Sequence, residues 1–111
     1  MNRHDAHIRA FTLTSDAPVR QATFDLFWAL LRSTNGPKLL RLKALICIAE
    51  HPEEPLVVHA VQQILHPPIT LPSWPDSDRR SRIVLIGREL DEDLVRRLWG
   101  AFLGQEQKAA N

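Results

Sequence analysis

One cysteine, Cys47, excludes an internal disulfide and a cysteine-rich zinc cluster, and suits a reducing cytoplasm. Glycine is also scarce. Gly36, Gly87, Gly100 and Gly104 lie too far apart to cradle a phosphate, and no G-K-S or G-K-T occurs, so P-loop chemistry is outside this chain. Neither sign of charge dominates: 14 Lys and Arg against 13 Asp and Glu give no global field to recruit nucleic acid or an anionic membrane. No apolar run approaches the roughly 20 residues of a membrane span, and MNRHDAHIRAF lacks the apolar segment of a signal peptide. What is present, 111 residues at 44% hydrophobic, suffices for one domain with one modest core.

Periodicity orders the elements. HIRAFTLT, residues 7 to 14, sets Ile8, Phe11 and Leu13 among threonines as a strand. Ser15 and Asp16 are cap candidates for a helix in which Ala22, Leu26, Phe27, Leu30 and Leu31 recur at three and four residue steps, predicting one buried face. Asn35-Gly36-Pro37 stops it. A strand is predicted from Leu39 to Ala49, then the polar connection His51-Pro52-Glu53-Glu54-Pro55, then a strand from Leu56 to about Ile64. Pro67, Pro68, Pro72 and Pro75 make residues 66 to 80 a loop or an edge excursion. SRIVLIGREL supplies a buried strand closed by Gly87, and Asp91 can cap a last helix with Leu94, Val95, Leu98 and Phe102 on its apolar side and Gly104 at its end. The expected organisation is a disordered lead over 1–6, a domain over 7–104 and a tail over 105–111.

Strand, helix, strand, strand, strand, helix is an α+β order. The predicted architecture is a ferredoxin-like split β-α-β arrangement: a four-stranded antiparallel sheet with both helices on one face. Alternation in LLRLKALICIA then puts Leu40, Leu42, Ala44, Ile46 and Ile48 toward the helices. Arg41, Lys43, Leu45, Cys47 and Ala49 take the uncovered face, cationic at its start and apolar at its end. Such a face serves as a docking surface or as an open sheet with snorkelling side chains.

Five segments in order, IRAFTLT, LLRLKAL, VVHAV, the loop around Trp74, and RIVLIGREL, resemble the CobW C-terminal domain, a module attached to P-loop GTPases described as metal chaperones. The resemblance runs over roughly residues 7 to 103. Ala44 and Ala60 stand where that family's pattern has glycine. What the resemblance implies is a non-catalytic interaction or regulatory domain of a cytoplasmic CobW-like GTPase concerned with cobalt or zinc handling or cobalamin-related metal insertion. GTP, Mg, and Zn or Co would belong to the parent protein and not to this chain. The implied partners are the parent's N-terminal GTPase domain and a client metalloprotein, with no nucleic acid and no membrane; self-association stays open. So does the choice between a piece of a longer protein and a natural stand-alone domain.

Arg41, Lys43 and His59 on the open face, and Trp74 in its proline-rich loop, are the candidate contact residues. Cys47 and His59 could hold zinc or cobalt together only if face and register agree; a buried free cysteine otherwise behaves as a small hydrophobe. His4, Asp5 and His7 offer nitrogen and oxygen ligands near the N-terminus, and His51 and His66 read as solvated loop residues beside prolines. Nucleic-acid recognition needs exposed strand aromatics; there is no tyrosine, and Phe11 is the single strand candidate. The rival to docking is a metal or small-molecule sensor binding through His and Cys. Calorimetric titration with zinc and with cobalt discriminates: the docking reading expects no stoichiometric binding, whereas micromolar binding lost on His59→Ala or Cys47→Ala would replace it with the sensor.

Overall fold

Alternating apolar side chains build strands, and helical spacing builds two helices, in a computed structural model that describes residues 7–110. The elements are β1 (Ile8–Ser15), α1 (Gln21–Asn35), one 3-10 turn (Gly36–Lys38), β2 (Leu39–Ile46), β3 (Leu56–Val61), β4 (Ile64–Leu65), β5 (Ile69–Thr70), β6 (Ser81–Arg88) and α2 (Glu92–Ala110). The sheet runs β1-β6-β2-β3-β4, with β5 also on β3, and every pairing between these strands is antiparallel. Because β6 is antiparallel to both neighbours, β1 and β2 run the same way on either side of it, so β1-α1-β2 is a β-α-β unit split by a later strand.

The α+β architecture is as expected, but the sheet has six strands rather than four. The additional pair comes from the region after β3. The predicted strand from Leu56 to Ile64 is interrupted at Gln62 and Gln63, whose φ angles of 48° and 74° mark a type I′ hairpin turn; the chain folds back as β4. Neither residue is Gly or Asn, so the usual sequence signal is missing. Pro67 and Pro68 then break pairing, and Ile69–Thr70 rejoins β3 as β5, making the expected edge excursion.

Core packing follows alternation with two shifts. A register irregularity between Leu39 and Arg41, opposite Gly87 and Ile86, inserts Leu40 as an extra residue, so Leu39 joins the core and Leu40 is only half-buried. Close approach at that point needs Gly87: a Cβ there would sit 2.7 Å from Leu90 Cβ and 2.8 Å from the Lys38 carbonyl oxygen. In α1 the buried stripe is Thr23, Phe24, Phe27, Trp28 and Leu31, while Leu26 and Leu30 are 61% and 40% exposed, a rotation from the expected face. The aromatic side wins because Phe and Trp bury the larger area, about 2–3 kcal/mol for a fully buried ring. Phe27 makes edge contacts with Trp99 at 4.9 Å and Phe102 at 6.0 Å, joining the helices over the inner side of the sheet.

Helix ends are secured from a distance. Ser15 Oγ donates to the Ala17 carbonyl instead of capping, α1 has no acid in its first turn, and its preceding residue Arg20 gives no side-chain cap. Two remote carboxylates substitute: Glu50 accepts from Gln21 N at 3.0 Å, and Glu106 accepts from Arg20 N, Arg20 Nε and the Thr23 hydroxyl. Burial pushes the Glu106 carboxyl up, but those hydrogen bonds and the Arg20 charge together outweigh it and leave it below the usual carboxylate range. Glu106 lies beyond Gly104, so α2 continues through the predicted stop and the expected tail from residue 105 is helical to Ala110. Asp91 does cap α2, accepting from Leu94 N at 3.1 Å.

Both sheet edges are blunted. The outward carbonyls of β1 at Thr12 and Thr14 accept from Arg96 Nη1 and Trp99 Nε1, and on the far side β4 and β5 are two residues each beside prolines. In denaturant titrations, Gly87→Ala is expected to cost about 1–3 kcal/mol through overpacking. Glu106→Gln, which loses the charge that holds Arg20 and Thr23, is expected to cost about 1–2 kcal/mol. Unchanged midpoints would contradict both assignments.

Candidate docking face on the open side of the sheet

Side chains that alternate away from the helices meet in three rows across the strands. Register aligns Thr14, Arg82, Leu45, Val57 and Ile69 in the first, and Thr12, Val84, Lys43 and His59 in the second. The third is Ala10, Ile86, Arg41, Val61 and Ile64. No carboxylate stands in any row. Leu45, Val57, Val61 and Ile86 are half-buried by their neighbours alone, and Val84 is 39% exposed in the middle of the sheet. Arg41 and Lys43 are exposed as alternation requires, and neither forms an ion pair among the described residues. Arg82, by contrast, is held by Asp76 and Asp78 from the preceding loop. In that loop Asp78 accepts from Arg80, which pulls its carboxyl down to about 2.

His66 is the member that sequence reasoning missed. The type I′ turn pairs Val61 with Ile64 and Ala60 with Leu65, so the next position outward sets His66 beside His59. His66 N donates to the His59 carbonyl at 2.9 Å, and the rings stack with centroids 5.0 Å apart. Equal spacing about Gln62-Gln63 was the available signal, unreadable without recognising the turn. His59 Nε2 is buried and has no hydrogen-bond partner among the described residues. Burial lowers the His59 pKa below the ordinary imidazole value, and the neighbouring His66, Arg41 and Lys43 lower it further. The cationic patch thus favours the neutral form of the His59 imidazole.

The other candidates lie elsewhere. Lys43 is opposite His59, and Cys47 lies four residues farther on, just beyond the end of β2, so the expected Cys47–His59 ligand pair is about 13 Å apart along the chain direction. Cys47 is buried, its Sγ 3.9 Å from the Pro52 carbonyl oxygen; burial pushes its thiol up, with Arg79 opposing and Glu53 reinforcing. Trp74 is also buried rather than presented to a partner, and its indole N–H donates to the same Pro52 carbonyl at 2.8 Å. It braces the β2–β3 connection. His51 is tied into that connection through Nδ1 and the Glu54 carbonyl at 2.8 Å. His4 and Asp5 lie outside the described residues, and His7 Nδ1 is 3.8 Å from Glu89 Oε2. Among the described residues no group of three His, Cys, Asp or Glu side chains is placed to hold a metal, and no helix is long and apolar enough to cross a membrane. Phe11, the strand aromatic, faces the core with the Arg96 guanidinium 5.5 Å from its ring centroid.

An antiparallel sheet with a split β-α-β unit, two helices on its inner side and an uncovered outer side defines an α+β module. Over residues 8–103 the sequence matches the model of the cobalamin synthesis protein CobW C-terminal domain, and the chain belongs to that family. Its fold is similar to the crystal structure of the Zn(II)-bound YjiA GTPase from E. coli, with a TM-score of 0.76 and 24% identity over 86% of this chain. A Zn(II)-bound triple mutant of the YjiA GTPase is similar at a TM-score of 0.77, again with 24% identity over 86% of this chain. The chain spans 30% of the length of each of those proteins.

The stacked histidines generate a pH prediction. His59 has a folded-state pKa below its unfolded value, so its contribution to stability is present above the ordinary imidazole value and is lost as pH falls through the folded one. Proton NMR titration should find His59 protonating at lower pH than a free imidazole, and His66→Ala should move it back up. A His59 that titrates like a model imidazole in both proteins contradicts the stacking.

Proposed function

We propose that this chain is the C-terminal interaction and regulatory module of a CobW-like P-loop GTPase, without catalytic activity of its own. It docks through its open sheet face onto the GTPase domain or onto a client metalloprotein and carries nucleotide state between them. The observation that carries the proposal is the composition of that face: half-buried aliphatic side chains surround Arg41, Lys43 and His59, with no acid among them. Solvated sheet faces are ordinarily polar, and an apolar field around a few cations has the character of an interface with a central patch and charged anchors. A relay also needs a second contact surface. The exposed side chains of Leu26 and Leu30 on α1, with Leu94 on α2, provide an apolar strip on the helical side. GTP, magnesium, and the zinc or cobalt being handled are assigned to the remainder of the parent protein, in the reducing cytoplasm that the single buried cysteine suits.

Amine acetylation read by mass spectrometry tests the contact. Lys43 should react freely in the isolated chain and several-fold more slowly in a parent protein that carries an upstream P-loop, with the protection depending on bound nucleotide. Equal reactivity in both would remove the sheet face as the docking surface.

A further inference from the structure

The same face specifies the chemistry of what it meets, and the inference rests on the docking role just proposed. We infer that the partner presents an acidic and apolar polypeptide segment, whose carboxylates are received by Arg41, Lys43 and the His59–His66 pair and whose aliphatic side chains pack on Leu45, Val57 and Val61. Charge complementarity is the first argument. Several of the chain's cations are matched with its own acids: Arg20 with Glu106, Arg79 with Glu53, Arg80 with Asp78 and Arg96 with Glu92. On the open face Asp76 and Asp78 hold Arg82, whereas Arg41 and Lys43, next to two histidines, have no such partner among the described residues. Two cations on one strand, flanking an imidazole whose protonation they oppose, are tolerated on a free surface by water and are drawn to an external anion.

His59 Nε2 supplies the second argument. A buried ring nitrogen with no hydrogen-bond partner is a costly arrangement unless something relieves it. The ring stacked beside it belongs to exposed His66, so displacing that ring would open Nε2 to an incoming group. An arriving carboxylate then reaches both imidazoles. Its negative charge offsets Arg41 and Lys43, the cations that face His59 from β2, and makes protonation of His59 more favourable. Binding therefore takes up protons. A polypeptide is favoured over a nucleic acid because the surface between the cations is aliphatic: Phe11 is turned into the core, and Leu45, Val57 and Val61 have no π-face on which a base could stack.

Heteronuclear NMR titration of the whole chain tests this with a short peptide alternating glutamate and leucine. The matched peptide alternating glutamine and leucine, inorganic phosphate and a single-stranded RNA oligomer serve as comparisons. The glutamate peptide is expected to shift Arg41, Lys43, His59 and His66. Its affinity should fall as pH rises from about 5 to about 8, the range in which histidine releases its proton. Arg41→Glu combined with Lys43→Glu should weaken binding by at least about tenfold. His66→Ala, an exposed change that leaves the fold intact, should flatten the pH dependence. Equal binding of the glutamine peptide, no shifts at these residues, or tighter binding of phosphate or RNA would each overturn the inference. If Lys43 is protected in the parent protein by a surface without carboxylates, docking stands and this inference alone fails.

Discussion

Everything in this domain depends on β6 entering between two strands that α1 has already joined. Ile83 and Leu85 are fully buried at that position, and their neighbours on both sides are antiparallel. The insertion makes β1 and β2 outer partners of a central strand, keeps α1 and α2 together on one side, and leaves the other side bare. It also makes the decisive contacts non-local in sequence, joining residues near 10 and 42 to residues near 85, an arrangement whose loop-closure entropy slows folding. The tight fit of Gly87 against Leu90 and Lys38 marks where that strand locks.

Charge is organised in two unlike ways on the two sides of the sheet. On the helical side, acids from distant segments serve the start of α1: Glu50 and Glu106 supply what its own first turn lacks. The termini of three segments are thereby fastened to one another. On the bare side, the cations of β2 and the stacked histidines stand without acids. Arg82 on that side is instead held by acids, Asp76 and Asp78.

Much of the architecture was legible in the sequence. Element order, the α+β class, the Asp91 cap and the outward placement of Arg41 and Lys43 follow from period and capping chemistry, which are local properties. What escaped was set by tertiary competition. Alpha-helical spacing in α1 permits both a Leu26–Leu30 stripe and an aromatic stripe, and only packing against Trp99 and Phe102 decides between them. Gly104 is a plausible stop until Glu106 is seen to bond Thr23 and Arg20. His66 looked solvated because a hairpin turn built from two glutamines carries no glycine signal. Trp74 in its proline-rich loop suits a contact residue or a cap on the core equally well by sequence; the structure buries its indole, whose N–H donates to the Pro52 carbonyl.

The capped edge of β1 has a geometric consequence. Arg96 and Trp99 occupy the carbonyls that an added strand would need, and the opposite margin ends in two-residue strands and prolines. Growth of the sheet within its own plane is closed in both directions. Any large partner must therefore approach along the normal to that plane, and contact will be made by side chains, whose identities can change one at a time, rather than by backbone, whose pattern cannot. A domain closed at its rims and bare on one side can keep its fold while its partnerships diverge.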